Sequence, residues 1–169
     1  MKEELEAEMI GKQGNSGKPA LATAMEYLAK RGRSCAEVRL RLIDKGFDEE
    51  TAEGTVERLK EMRLLDDARF AAEWAESRLR RCIGGVRIRM ELEDMGVDSE
   101  TTHSALASLD KDEVAIYARK AAAKVAGRVI VDDPNSRPKA IRYVMSRGFS
   151  SSEAREAVSA VFSSLVTGN

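Results

Sequence analysis

The apolar positions of this chain recur in one order three times. An aliphatic side chain (Leu42, Leu92, Val144) is followed four residues later by a glycine (Gly46, Gly96, Gly148). After each glycine comes one apolar residue (Phe47, Val97, Phe149) and then a helix-capping side chain (Asp48, Asp98, Ser150). Two further aliphatics stand ten and thirteen residues past each glycine: Val56 and Leu59, Leu106 and Leu109, Val158 and Val161. Apolar residues three and four apart mark a helix with one buried face. A glycine just beyond them ends the helix, and an aspartate or serine opens the next. A period of about 50 residues differs from the two-helix repeats of about 34 and fits three helices per unit. So small a unit covers its apolar face only against a neighbour. The predicted fold is all-α: three tandem three-helix repeats, at 19–65, 66–109 and 110–166, forming an elongated, curved modular rod. Residues 1–18, an acidic head followed by a Gly-rich run, have too little apolar surface to hold a shape and read as a disordered tail.

Within the first repeat, Pro19 opens a helix whose buried stripe is Leu21, Met25 and Leu28, with Gly32 as terminator. Ser34 and Glu37 frame a capping box, in which each side chain reaches the other's free backbone N–H. Cys35, Val38 and Leu42 share the next inward face, and Ala52, Val56 and Leu59 the one after. The second repeat opens on Asp66 and Asp67, a double N-terminal cap, with Phe70 and Trp74 as core on one face. Gly84-Gly85 breaks the chain before Ile88, Leu92 and Met95. The third repeat is looser. Val114, Ala118, Ala121 and Val125 form its first stripe, and the helical pattern lapses from Gly127 to Arg137, where Val129-Ile130-Val131 is β-prone. Pro138 starts another helix, and Ser150 with Glu153 repeats the capping box.

Composition narrows the class. Hydrophobic residues make up 43% and charged residues 34%, as expected of amphipathic helices, while aromatics at 5% leave the core to aliphatic side chains and alanine. No apolar run approaches the roughly 18 residues of a membrane span, and the first residues lack a signal-like stretch, so the cytoplasm is the expected compartment. The two cysteines, Cys35 and Cys82, have no CxxC spacing and are expected to be reduced and structural. The net charge of −1 argues against bulk attraction to polyanions, but residues 110–169 hold ten basic side chains against seven acidic.

Arg78, Arg80, Arg81, Arg87 and Arg89 are the densest basic run, with no acid among them before Glu91. Such arginines suit carboxylates or phosphates of a partner, or else a solvated helix end. Arg119, Lys120, Lys124, Arg128, Arg137, Lys139, Arg142 and Arg147 are a second basic set, where Tyr143 offers a ring for stacking on a base. Arg31, Arg33, Arg39 and Arg41 are offset by Glu37 and Asp44. His103 has no serine or cysteine motif around it, and the glycines do not form a phosphate-loop frame. No cofactor, no metal and no enzymatic activity are expected.

The ordered motifs carry a resemblance. Ala20-Leu21, Leu28-Ala29-Lys30-Arg31, Arg33-Ser34 with Glu37, and Leu42 with Lys45-Gly46-Phe47 are followed by Leu65-Asp66-Asp67 with Arg69-Phe70-Ala71. Arg78, Gly84, Arg87-Ile88, Glu91-Leu92 and Gly96-Val97 complete the series. From Ala20 to Phe162 the chain resembles the RecX family, bacterial regulators of the RecA recombinase. The chain is expected to be a monomer, and the resemblance implies a row of three-helix modules that lies in the groove of the RecA–single-stranded-DNA filament. It also implies inhibition of strand exchange, ATP turnover and co-protease activity, and so regulation of DNA repair. The third repeat matches least, the 127–137 insertion has no counterpart in the first two, and Cys35-Ala36 replaces a more polar pair. Two other readings stand beside it: a direct DNA-binding protein of helix-turn-helix type, and a helical scaffold for a different partner.

Overall fold

The computed structural model describes residues 17–126 and 134–167. Among these residues there are nine helices and no β-strand, as the apolar spacing predicts. They are α1 Ala20–Leu28, α2 Cys35–Asp44, α3 Glu49–Glu61, α4 Asp67–Arg80, α5 Gly85–Asp94, α6 Ser99–Ala107, α7 Lys111–Ala126, α8 Ser136–Ser146 and α9 Ser151–Thr167. The tail through residue 16 and the segment 127–133, including Val129–Val131 and Arg128, lie outside the described residues.

The recurrent signature has one structural meaning in all three places. Gly46, Gly96 and Gly148 take φ of +87°, +76° and +92°, a left-handed conformation that side chains with a Cβ resist. At α2 the closure is complete: Gly46 N–H donates to Ile43 C=O at 2.9 Å and Phe47 N–H to Leu42 C=O at 3.2 Å. The turn swings the next residue inward, so Phe47, Val97 and Phe149 are buried, as are Leu42, Leu92 and Val144 before it. Asp48 and Asp98 accept the Thr51 and Thr101 amides at 2.7 and 2.8 Å. Ser150 and Glu153 close both arms of their capping box at 3.3 and 2.6 Å.

Three local expectations change. In α1 the buried residues are Ala20, Thr23 and Ala24, whereas Met25 is 45% exposed and Leu21 and Leu28 are half-buried. Small side chains let this nine-residue helix lie close on α2 and α3, which turns its stripe away from the larger aliphatics. The helix also stops at Leu28, short of Gly32. Nor do Gly84 and Gly85 end α4. Cys82 does so at φ +57°, with Cys82 N–H on Leu79 C=O at 2.7 Å and Ile83 N–H on Arg78 C=O at 3.1 Å. Arg63 ends α3 in the same way at φ +55°.

The chain forms two compact bodies. Among the described residues, the first comprises 17–70 together with Glu93–Thr101. In it α1, α2 and α3 enclose Ala20, Ala24, Val38, Leu42, Phe47, Ala52, Val56, Leu59 and Leu65. The second comprises Ala71–Leu92 and the described residues of 102–167. Its core is rich in alanine (Ala118, Ala121, Ala122, Ala140, Ala154, Ala157), which lets α7, α8 and α9 approach closely, with Phe149 and Phe162 filling the remaining space.

One seam recurs in both bodies. In the first, Ser34 Oγ at the start of α2 donates to Met95 C=O at the end of α5, and a Cβ on Gly96 would stand 2.4 Å from that of Ala36. In the second, Gly84 N–H at the start of α5 donates to Arg147 C=O at the end of α8, and Val86 N–H donates to Gly148 C=O, each at 2.9 Å. A Cβ on Gly148 would stand 2.4 Å from that of Arg87. The middle helices of the first two repeats, α2 and α5, thus each receive at the N-terminus the glycine turn of the following repeat's middle helix.

Candidate functional site

The charged groups that carry partner chemistry are positioned by these helices, and the structure divides them into two kinds. The first kind is engaged internally. Glu91 on α5 gathers Arg78 and Trp74 from α4: Arg78 Nε donates to it at 2.6 Å, Arg78 Nη2 also donates, and Trp74 Nε1 donates at 3.2 Å. Arg87 Nε lies 3.5 Å from the same carboxylate. Burial opposes ionisation of Glu91, but Arg78, Trp74 and Arg87 together outweigh it and hold its carboxyl below the ordinary range. Trp74, expected in the core, is only half-buried because its N–H serves this carboxylate. Arg80 pairs with Glu76 one turn earlier at 3.1 Å. The absence of acids within the run therefore does not leave Arg78, Arg80 and Arg87 unpaired, since Glu76 precedes it and Glu91 follows on the next helix.

Arg147, assigned to the partner-facing set, instead turns inward. Its Nε donates to Cys82 C=O at 3.1 Å and its Nη2 to Arg81 C=O at 2.9 Å, which satisfies carbonyls beyond the C-terminus of α4. Lys120 lies over the Tyr117 ring at 4.5 Å and Arg137 over Phe162 at 5.5 Å. Tyr143, proposed to stack on a base, is half-buried against the second body's core. In the first body Glu37 pairs with both Arg31 and Arg33, Arg39 with Glu49, and Arg41 with Asp44.

The second kind faces outward. Arg81, Arg119, Lys124 and Arg142 are exposed and Arg89 is half-buried, and none of the five has an ion pair among the described residues. Arg119, with Lys111, Glu153 and Glu156, rims an open hollow of about 590 Å³ floored by Leu106, Leu109, Val114 and Ala157. Leu106 and Leu109, expected in the core, are the half-buried floor of that hollow.

The paired aspartates part company. Asp66 Oδ1 accepts Arg69 N–H at 3.0 Å and caps its own helix. Asp67 Oδ1 accepts Cys35 N–H at 2.8 Å and so caps α2, beside the Ser34–Glu37 box, whose arms measure 3.1 and 3.2 Å. The expected double cap is two caps on two helices. Burial, and then the Asp67 charge, pushes the Cys35 thiol up to about 12, so it stays protonated at neutral pH. Phe70 is buried in the first body, where a Cβ on Gly32 would meet its ring at 3.4 Å.

Comparison with known proteins agrees with this architecture. Family models described as RecX, first three-helix domain, and RecX, second three-helix domain, match residues 20–59 and 66–106. A regulatory protein RecX of Prosthecochloris aestuarii is 35% identical over 81% of this chain and 89% of its own length. Another, from Chromohalobacter salexigens, is 34% identical over 80% of this chain and 88% of its own. The crystal structure of RecX from Lactobacillus salivarius superposes with a TM-score of 0.78 at 20% identity, covering 84% of this chain and 94% of that one, which bears on the fold.

Proposed function

The chain belongs to the RecX family of regulatory proteins, and from that premise we propose that it binds the RecA–single-stranded-DNA filament in its helical groove. Seated there it obstructs strand exchange and co-protease action and lowers ATP turnover, without chemistry of its own. The observation that carries this reading is the repeated seam at Gly96 and Gly148. Within each body the glycine turn of one repeat docks on the middle helix of the repeat before it, so the same contact is used twice, as suits a modular chain that meets a polymer of like protomers. The partner works in the cytoplasm, and so does this chain.

Strand exchange and ATP hydrolysis by RecA on single-stranded DNA, with sub-stoichiometric amounts of the protein added, test the reading. Both rates are expected to fall, and imaged filaments to shorten or gain density in the groove. Unchanged rates with unchanged filaments would refute it. Arg119, Lys124 and Arg142, without an ion pair among the described residues, favour a subsidiary role in which phosphates assist docking.

A further inference from the structure

The two most exposed large apolar side chains among the described residues are Leu40 at 59% and Met90 at 60%. They occupy the same place in successive repeats, on the middle helices α2 and α5, six residues before the terminating Gly46 and Gly96. A single exposed leucine is ordinary on a protein surface. Recurrence at one register is not, because each repeat makes its own choice there. Helix propensity gives no reason for it, since lysine, arginine, glutamine or glutamate would serve a solvated helix as well. Packing gives none either, as both side chains are exposed while Val38 and Leu42 on α2 and Ile88 and Leu92 on α5 are the ones buried.

An arginine precedes each of the two. Among the described residues Arg39 pairs with Glu49, whose side chain is 70% exposed, and so solvated a pair exchanges readily for a partner's carboxylate. Arg89 has no ion pair among the described residues. Val86, one turn before Met90 and 55% exposed, widens the second apolar surface. The third repeat departs from the pattern, with Arg142 at the corresponding position.

We propose that Leu40 and Met90 are equivalent apolar anchors that seat in a recurring apolar socket, rimmed by a carboxylate, on successive protomers of the filament. The proposal rests on the filament reading above and names the residues through which it operates. Each apolar tip is desolvated on docking while the adjacent guanidinium meets the rim carboxylate, the arrangement in which a few residues dominate an interface. Because the anchors are on one chain, engagement of the first makes the second encounter intramolecular. In the third repeat a cation replaces the anchor, so that repeat contributes charge and no socket contact.

The test uses the full-length chain, fluorescently labelled, titrated with RecA filaments formed on single-stranded DNA with a slowly hydrolysed nucleotide. Leu40→Gln and Met90→Gln are each expected to weaken binding by about tenfold and the double variant by about 100-fold or more. Ile116→Gln, which alters another exposed apolar residue outside the register, is expected to bind as the parent does. Helix content and melting temperature should hold in all four, since every substituted side chain is solvent-facing. A parent that binds while the double variant binds within twofold of it overturns the anchors and leaves the filament reading standing. A parent that does not bind overturns both. Loss of self-association in sedimentation of the free double variant would assign the anchors to a second copy of this chain and overturn the proposal.

Discussion

At the residue scale, the decisive arrangement is a single carboxylate with three donors. Glu91 is only about one-fifth exposed, as is Arg78, so their interaction is partly shielded from water. Its carboxyl is held below the ordinary value in the folded protein, so ionised Glu91 favours folding. That contribution is fully present above the unfolded carboxylate value and is lost as pH falls through the folded one. Glu91→Gln is expected to cost about 2 kcal/mol at pH 7. The difference in melting temperature from the parent should shrink steadily below about pH 4. A gap that stayed constant from pH 7 to pH 3, followed by calorimetry, would contradict this assignment. Sequence reading registered Arg78 as a free cation because its partner lies on another helix. The internal bonds of Arg147 were equally hidden, since its acceptors are carbonyls that carry no signature in the sequence.

At the scale of elements, two adjacent glycines make a test. A Cβ on Gly84 would stand 2.3 Å from Phe149 N and 2.4 Å from the Gly148 carbonyl, all of it backbone that cannot rotate aside. A Cβ on Gly85 would meet only Leu106 Cδ2 at 3.7 Å, an ordinary contact. Gly84→Ala is therefore expected to cost about 3 kcal/mol or more by opening the seam between α5 and the turn after α8. Gly85→Ala should be neutral or stabilise by up to about 1 kcal/mol, through reduced freedom of the unfolded chain. Thermal melts of the two variants check this, and equal losses would show that the seam is not a close backbone contact. The caps at Ser34, Asp48, Asp66, Asp98 and Ser150 were all legible, because a cap and the amide it serves lie within three residues. Asp67 was not, because the amide it serves is on α2, 32 residues away.

At the scale of the whole molecule, the net charge of −1 sets the character of any contact with nucleic acid. Glu91, Glu76, aromatic rings and carbonyls already engage Arg78, Arg80, Arg87, Lys120, Arg137 and Arg147, so that part of the basic set is committed within the fold. Binding to naked single-stranded DNA is thus expected to be weak, with a log–log salt slope no steeper than about −2, corresponding to roughly three phosphates. Fluorescence titration between 50 and 200 mM salt measures it. A slope near −5 would require a basic track that these side chains do not make and would favour direct DNA recognition. The repeat and the compact body are also distinct at this scale. The first repeat's body extends to Glu93–Thr101 because the glycine turn of α5 seats on α2.

What the amino-acid order determined was much of what acts over a few residues: the nine helices among the described residues, the turns at Gly46, Gly96 and Gly148, the local caps and the apolar faces of α2, α3, α5 and α9. Those follow from backbone sterics and the helical period, which are written in neighbouring positions. What the tertiary structure alone decided was which charges remain available to a partner and which helix each long side chain serves. It also decided that Gly84 exists for close approach rather than for chain reversal. Distance along the chain says little about such pairings, because packing brings Glu91 to Arg78, Asp67 to Cys35 and Arg147 to Cys82 by folding whole helices together.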